Sequence, residues 1–137
     1  MLSHEYQKRV RYGETDKMGY LYYGNYLQYY EIGRVELLRS LGLTYQAMED
    51  EIQVMMPVVH AEVRYLRPAY YDNLITIRTT IRELPEKYIV FHMELINEAG
   101  KLINTGRVRL CFVDMQTNKT LDQPPLTLLE KMKPYFE

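Results

Sequence analysis

The stretch from residue 12 to residue 42, YGETDKMGYLYYGNYLQYYEIGRVELLRSLG, decides the fold of this chain. Its first half is rich in turn-forming residues and holds the acid Asp16 between Thr15 and Gly19. Its second half has the residue spacing of a long helix. The sequence therefore predicts a loop that brings an acidic side chain close to the N-terminus of a helix.

The second half predicts the longest helix of the chain, which begins near Gly24 or Asn25, with Asn25 as its N-cap, and stops at Gly42. Gly33 costs about 1 kcal/mol relative to alanine inside a helix. We therefore expect a strand or another subunit to pack closely against it. The predicted buried stripe consists of Leu27, Tyr30, Arg34, Leu37, Leu38 and Leu41, widened by Ile32 and Val35.

The rest of the chain alternates apolar and polar residues with the period of a strand. The predicted strands are residues 5–12, 58–66, 74–84, 88–97 and 102–115, with Gly106 as a bulge or bend. Short helices are predicted at 45–50, capped by Thr44, and at 126–133. Hairpin-length turns after Leu66 favour an antiparallel sheet, so we expect an α+β domain in which a curved sheet of about five strands wraps one long central helix.

The length and charge of the chain limit what it can be. The 137 residues suit one domain, 1–137, and a net charge of −1 gives no basic excess for nucleic acid. A single cysteine, Cys111, excludes an internal disulfide and favours a reducing compartment, so we expect a cytoplasmic protein. No apolar run reaches the ~20 residues of a membrane span. Long edge strands predict at least a homodimer.

Asp16 is the main candidate for chemistry. One interpretation is that it only shapes the loop as an Asx-turn residue ahead of Gly19. The other is that it acts as a nucleophile or general base beside the free N–H groups of the helix start, which can stabilise an oxyanion. Glu14 is interpreted as a solvated loop charge. Glu31 either faces a cleft or pairs with Arg34.

The remaining polar residues support few other functions. The three histidines show no metal-ligand spacing, and no phosphate-binding glycine motif occurs, so we expect neither metal nor organic cofactor. Four arginines lie on adjacent strands and the turn between them, as a solvated face or as a phosphate patch for a ligand such as coenzyme A: Arg64, Arg67, Arg78 and Arg82.

Three segments resemble the hotdog-fold acyl-CoA thioesterases: RVRYGETDKMG at 9–19, YYGNY at 22–26 and EIGRVELLR at 31–39. A fourth, RYLRPAYYDNL at 64–74, is similar to that family's turn after the second strand. The branch that the chain resembles is the 4-hydroxybenzoyl-CoA thioesterase group with its Tol-Pal-associated members. Many Tol-Pal-associated members carry histidine where this chain has Tyr23, and tyrosine matches the 4-hydroxybenzoyl branch better.

The resemblance implies a hotdog fold, a homodimer or homotetramer, and hydrolysis of acyl-CoA or acyl-carrier-protein thioesters without a cofactor. It implies that Asp16 is the catalytic carboxylate and that the backbone N–H of Tyr23 polarises the thioester carbonyl. Gly24 and Asn25 would continue the helix start behind it. Since family members bind the CoA nucleotide near the subunit boundary, Arg64 and Arg67 become candidates for substrate binding, with no nucleic acid or membrane span involved.

Two other functions remain open at the level of sequence. A non-catalytic hotdog protein would bind acyl-CoA without turnover, although a pure binder has no need of Asp16. A hotdog dehydratase would need a histidine beside the acid, and His60 or His92 would have to approach Asp16 in space.

Overall fold

A computed structural model of the chain describes residues 1–137. The helices are Tyr26–Ser40 (α1), Tyr45–Ala47 (α2) and Leu126–Met132 (α3). The strands are Leu2–Arg9 (β1), Val54–Met55 (β2), Val58–Tyr65 (β3), Leu74–Ile81 (β4), Tyr88–Ile96 (β5), Leu102–Cys111 (β6), Val113–Asp114 (β7) and Lys119–Thr120 (β8). Short 3₁₀ turns occupy Tyr12–Glu14, Tyr23–Asn25 and Lys133–Tyr135, and a π turn occupies Met48–Ile52.

Five long strands form one antiparallel sheet in the order β1-β4-β5-β6-β3. Helix α1 follows β1 in the chain and packs against β1, β4 and β5. The predicted antiparallel sheet of five strands around one long helix is therefore confirmed. Strands β2, β7 and β8 form a separate small sheet. No helix combines the length and apolar character that a bilayer span requires.

Alternation on the inner strands matches the prediction. Ile75, Ile77, Thr79 and Ile81 of β4 are all buried against the helix side of the sheet. Edge strand β3 differs, because only Val63 among its eight residues is even half-buried. Its apolar residues Val58 and Val59 are each about half exposed. The outer edge of β3 is thus the most open part of the main sheet.

The predicted buried stripe of α1 is confirmed except at Leu27, since Tyr30, Arg34, Leu37, Leu38 and Leu41 are all buried. Tyr26 and Tyr29 are buried, whereas Leu27 is 48% exposed, so the expectation that Leu27 belongs to the core is wrong. The face that meets the sheet is centred on Tyr30, Gly33 and Leu37, at helical spacing from Tyr26. Leu27 lies within about 20° of buried Arg34 and Leu38 around the helix, so its exposure follows from its place in the first turn of α1 and not from its angular position.

Two glycines are explained by close packing. A Cβ on Gly33 would lie 2.7 Å from Ile77 Cγ2, so the predicted close contact with a strand is confirmed. Gly106 is predicted at a bulge or bend, but β6 keeps its register through this residue, so the prediction of a bulge is wrong. A Cβ on Gly106 would lie 2.6 Å from the Tyr30 ring, so the glycine makes room for that ring.

Element boundaries differ from the prediction at turns that long-range contacts create. Strand β1 ends at Arg9 because the next amide, that of Val10, donates to Asn73 O at 2.9 Å and the chain then enters a 3₁₀ turn. Strand β6 ends at Cys111, since buried Phe112 separates it from β7 in the second sheet. Thr44 caps α2 as predicted, with its Oγ1 accepting from Ala47 N at 3.0 Å.

Candidate active site

Three of the predicted site residues line one cavity of about 310 Å³: Asp16, Tyr23 and Arg67. We call it the Asp16 cavity. Its walls come from the loop before α1, the 3₁₀ turn that begins the helix, and the end of β3 with the turn that follows it. Seven of its ten lining residues are hydrophobic, including Tyr26 and Tyr65. The fold therefore brings the predicted acid and the predicted helix start together in one mostly apolar cleft.

Asp16 closes its own loop and keeps one oxygen free. Its Oδ1 accepts the N–H groups of Met18 at 2.9 Å and Tyr20 at 3.1 Å, which is the Asx turn expected as the structural role. Gly19 sits at φ +81 between them, a conformation that favours glycine. Asp16 Oδ2 makes no hydrogen bond to the protein and is available to a ligand in the cavity.

The start of the helix leaves backbone donors at the cavity. Tyr22 N donates to Glu14 O and Asn25 N donates to Tyr22 O, each at 2.9 Å. Tyr23 opens the 3₁₀ turn between them, and the first N–H groups of a helix have no intrahelical acceptor. The Tyr23 carbonyl is held by Tyr65, whose hydroxyl donates to Tyr23 O at 2.9 Å. Tyr23 also lines the Asp16 cavity, so the positive end of the helix dipole lies beside the same cleft as Asp16.

Glu14 holds this junction together, and the interpretation of it as a solvated charge is wrong. Its Oε1 accepts from Lys8 Nζ at 3.0 Å, Arg11 N at 2.8 Å and Tyr29 OH at 2.8 Å. Burial alone would raise the pKa of Glu14, but the hydrogen bonds from Arg11, Lys8 and Tyr29 outweigh it and hold the pKa below its usual value. A single carboxylate therefore connects β1, the loop and α1.

Asn25 and Gly24 serve the backbone of the same junction. Asn25 precedes α1, but its side chain does not accept a capping hydrogen bond. Its amide Nδ2 instead donates to Glu14 O at 3.0 Å, so the prediction of a capping side chain is wrong. Gly24 lies where a Cβ would come within 2.6 Å of the Tyr22 ring. Both residues fix the helix start without lining the Asp16 cavity.

The four arginines do not form one patch. Arg67 lies at the Asp16 cavity and donates from Nη1 to Leu102 O at 3.1 Å. Arg64, Arg78 and Arg82 instead line a separate cavity of about 820 Å³. Arg78 is already paired there with Glu5 and Glu94. Within this chain, Arg64 is therefore not brought to the cavity that contains Asp16.

Tyrosine side chains give the cavity uncharged walls. The rings of Tyr26 and Tyr65 meet edge to face with centroids 5.0 Å apart, and those of Tyr23 and Tyr65 with centroids 6.4 Å apart. Burial raises the pKa of the Tyr26 phenol, and it also raises the pKa of Tyr65. These phenols are neutral at physiological pH, which suits an apolar or aromatic group in the cleft.

No histidine lines the Asp16 cavity. His92 lies at the 820 Å³ cavity, and burial, Arg82 and Arg107 lower its pKa. His60 is exposed on edge strand β3. The pairing of an acid with a histidine that the dehydratase alternative requires is thus not made within this chain.

Comparison with known proteins identifies relatives of this chain. The family description that matches residues 10–130 is the thioesterase-like superfamily. An acyl-CoA thioester hydrolase, YbgC, of Escherichia coli O157:H7 is 33% identical over 106 residues, which cover 77% of this chain and 78% of that protein. An acyl-CoA thioesterase, YbgC, of Haemophilus influenzae is 29% identical over 116 residues, which cover 85% of each protein.

Solved structures agree with this fold. A DHNA-CoA thioesterase from Staphylococcus aureus superimposes with a TM-score of 0.85 at 26% identity, covering 100% of this chain and 97% of that one. A 4-hydroxybenzoyl CoA thioesterase mutant complexed with 4-hydroxybenzoyl CoA gives a TM-score of 0.84 at 20% identity, covering 96% of this chain and 99% of that one. At that lower identity the second likeness concerns the fold alone.

Proposed function

Because this chain belongs to the thioesterase-like superfamily and is an acyl-CoA thioesterase of the hotdog fold, we propose that it hydrolyses its substrate in the Asp16 cavity. One observation carries the proposal. The unbonded Oδ2 of Asp16 and the helix start at Tyr23 line the same apolar cleft. An acid and a preorganised donor within one cleft are the minimum that hydrolysis of an activated ester requires.

Asp16 supplies the reacting oxygen or the base. As a nucleophile, Oδ2 bonds to the thioester carbonyl carbon, the C–S bond breaks, and CoA leaves as a thiolate before water cleaves the resulting anhydride. As a general base, Oδ2 takes a proton from water, hydroxide adds to the carbonyl carbon, and the same C–S bond breaks. In either route the Asx turn on Oδ1 fixes the carboxylate before substrate arrives.

The Tyr23 N–H supplies the oxyanion donor. Charge develops on the carbonyl oxygen when the carbon becomes tetrahedral, and a backbone N–H at a helix start stabilises that charge without reorganising. Gly24 and Asn25 support the donor from behind through the packing of Tyr22 and the bond to Glu14 O. A tyrosine side chain at position 23 leaves this backbone donor intact.

Arginines are proposed to bind the CoA portion of the substrate. Arg67 lies at the Asp16 cavity, where its guanidinium can meet a phosphate that follows the acyl group out of the cleft. Arg64 lies on exposed edge strand β3, so its contribution requires a second copy of the chain beside that edge.

We further propose that the chain works as a homodimer or homotetramer built on the β3 edge. The half-exposed Val58 and Val59 and the unpaired outer side of β3 support this, because open edge strands favour pairing with another chain. We also propose that residues 1–137 form a single thioesterase domain and that it acts in the cytoplasm. The buried thiol of Cys111 is compatible with a reducing compartment.

The experiment that tests the site is hydrolysis of short, long and aromatic acyl-CoA esters by the wild type and by Asp16→Asn. The amide keeps the Oδ1 acceptor of the Asx turn but can neither attack nor take a proton, so we expect kcat to fall about 100-fold or more. The matched control is Asp114→Asn, since Asp114 Oδ1 accepts from Gln116 N at 2.8 Å in a similar turn away from the cavity.

Each result decides between the functions considered. Wild-type kcat/KM in Asp16→Asn would remove Asp16 from the reaction. Saturable binding of every ester by the wild type with no turnover would favour a non-catalytic acyl-CoA-binding protein. Loss of activity in Asp114→Asn as well would mean that turn stability, and not the acid, limits the rate.

A further inference from the structure

A second cavity, of about 430 Å³, lies on the far side of α1 and shares no lining residue with the Asp16 cavity. We call it the Arg34 pocket. It lies between α1, the segment that begins α2, and the start of β3. Its polar wall includes Arg34 and Tyr45, and its apolar wall includes Val35, Met56 and Leu110. The cavity is therefore amphipathic, with cationic and hydroxyl donors as well as apolar side chains in its lining.

Arg34 is a buried cation without a counterion. Its side chain belongs to a residue only 8% exposed, and its buried Nε–H has no hydrogen-bond partner. It takes part in none of the six salt bridges of the chain. The expected pair with Glu31 is not formed, although both residues line the pocket. A buried N–H without an acceptor is costly, so the Nε of Arg34 leaves this site one acceptor short.

Tyr45 adds a second unused donor. Its hydroxyl is buried and has no hydrogen-bond partner. Burial raises the pKa of this phenol, which keeps the proton in place for donation at neutral pH. Arg39, the other cation of the pocket wall, is already paired with Glu36 at 2.5 Å. Arg34 and Tyr45 are thus the two side chains of the pocket whose buried donors have no acceptor.

We propose that the Arg34 pocket binds a carboxylate that carries an apolar body. The unpaired guanidinium and the Tyr45 hydroxyl meet the carboxylate oxygens, and Val35, Met56 and Leu110 meet the body. Glu31 in the wall disfavours a doubly charged phosphate more than a singly charged carboxylate. The acid released by thioester hydrolysis belongs to this class, so the pocket responds to product. This response to product rests on the proposed function, whereas the carboxylate site itself does not.

Equilibrium binding tests the proposal without reference to turnover. The probes are benzoate, its uncharged analogue benzamide, and inorganic phosphate, titrated in calorimetry and in amide chemical-shift mapping that separates the two cavities. We expect saturable benzoate shifts around Thr44 and Met56, with benzamide and phosphate binding at least ten-fold more weakly. Benzamide equal to benzoate, or shifts confined to the Asp16 cavity, would overturn the proposal.

Variants assign the binding to the two donors. Arg34→Gln is expected to weaken benzoate about 10- to 100-fold and Tyr45→Phe about five-fold, as for loss of a charged and a neutral hydrogen bond. Arg39→Gln, which removes the paired cation of the same wall, is the control and leaves affinity unchanged. If Arg34→Gln does not fold, Arg34→Lys together with Tyr45→Phe decides, because the lysine keeps the charge but not the planar fork.

Sedimentation separates the proposal from an alternative source of the acceptor. A second copy of the chain could place a carboxylate of its own against Arg34. In that case benzoate does not bind the wild type at any concentration, and Arg34→Gln alters the oligomeric state. That pair of results would overturn the proposal of a ligand pocket, whereas benzoate binding with an unchanged oligomeric state supports it.

Discussion

Replacing Glu14 with glutamine tests how the junction between loop and helix is held. The change keeps the size of the side chain and removes only its charge. In the wild type Oε1 accepts three hydrogen bonds, from Lys8 Nζ, Arg11 N and Tyr29 OH, within 3.0 Å. The side chains of Glu14 and Lys8 are each only 17% exposed, so solvent screens the pair weakly.

The expected loss follows from these three contacts. A hydrogen bond to a charged group contributes about 1.5–3 kcal/mol, and a neutral one about 0.5–1.5 kcal/mol. Neutralising the acceptor therefore costs about 1 kcal/mol for each bond, or about 3 kcal/mol for the three of Glu14. For a chain of this size that lowers Tm by roughly 10 °C.

Acidification should remove the difference between the two proteins. Because the folded pKa of Glu14 lies below its unfolded value of 4.5, the stability it contributes is complete above pH 4.5 and is lost as pH falls through the folded pKa. Below that point the protonated wild type resembles the glutamine variant. The free energies of unfolding of Glu14→Gln and wild type should therefore differ by about 3 kcal/mol at pH 7 and converge in acid.

Urea unfolding across this pH range measures the effect, and the matched control is Glu5→Gln on β1, the strand that carries Lys8. The Glu5–Arg78 pair has side chains 56% and 38% exposed, so its loss should cost less than about 1 kcal/mol. Acyl-CoA hydrolysis by Glu14→Gln should lose about ten-fold in kcat, because the loop shifts relative to the helix start. Equal stability of the two variants, or a difference that does not vary with pH, would refute this account of Glu14.

Three further changes probe other parts of the molecule. Gly33→Ala should destabilise the fold by about 1–3 kcal/mol in denaturant unfolding, because the new methyl would lie 2.7 Å from Ile77 Cγ2; an unchanged midpoint would contradict the packing of α1 on β4. The lowered pKa of His92 disfavours its charged form in the fold, so the free energy of unfolding of the wild type should fall as pH drops below 6.5. That of His92→Gln should vary less with pH, and parallel curves for the two proteins would contradict this role of His92. Tyr65→Phe removes the hydrogen bond to Tyr23 O and should lower kcat/KM about three- to ten-fold, with less than about 1.5 kcal/mol of destabilisation. Unchanged kinetics would show that this bond does not position the helix start.

The sequence predicted those features that local patterns determine. Period-two alternation placed Ile75, Ile77 and Ile81 on one face, and all three are buried. The motif around Asp16 predicted the thioesterase family and thioester hydrolysis, and both are confirmed. Strand order was not predictable in the same way, because no local sequence pattern indicates that β1 and β3 lie at opposite edges of the sheet.

The face of α1 shows why the pattern of a helix alone was insufficient. Leu27 fits the apolar stripe as well as Tyr26 does, and hydrophobicity favours it. The helix is oriented by contacts with the sheet, where Gly33 must approach Ile77 and Tyr30 must enter the space above Gly106. These contacts are long-range, so tertiary packing, and not helical spacing, left Leu27 in solvent.

The two acids of the loop show what the structure adds to the motif. Glu14 and Asp16 are two residues apart, and as single residues both are compatible with solvated loop charges. Their surroundings separate them, since Glu14 binds Lys8, Arg11 and Tyr29 away from the Asp16 cavity, whereas Asp16 lines that cavity with Oδ2 unbonded. The division has a physical reason. The carboxylate that holds the loop against α1 lies outside the cavity, so a second carboxylate has to supply the chemistry. The two are only two residues apart, so the position of Asp16 depends directly on Glu14.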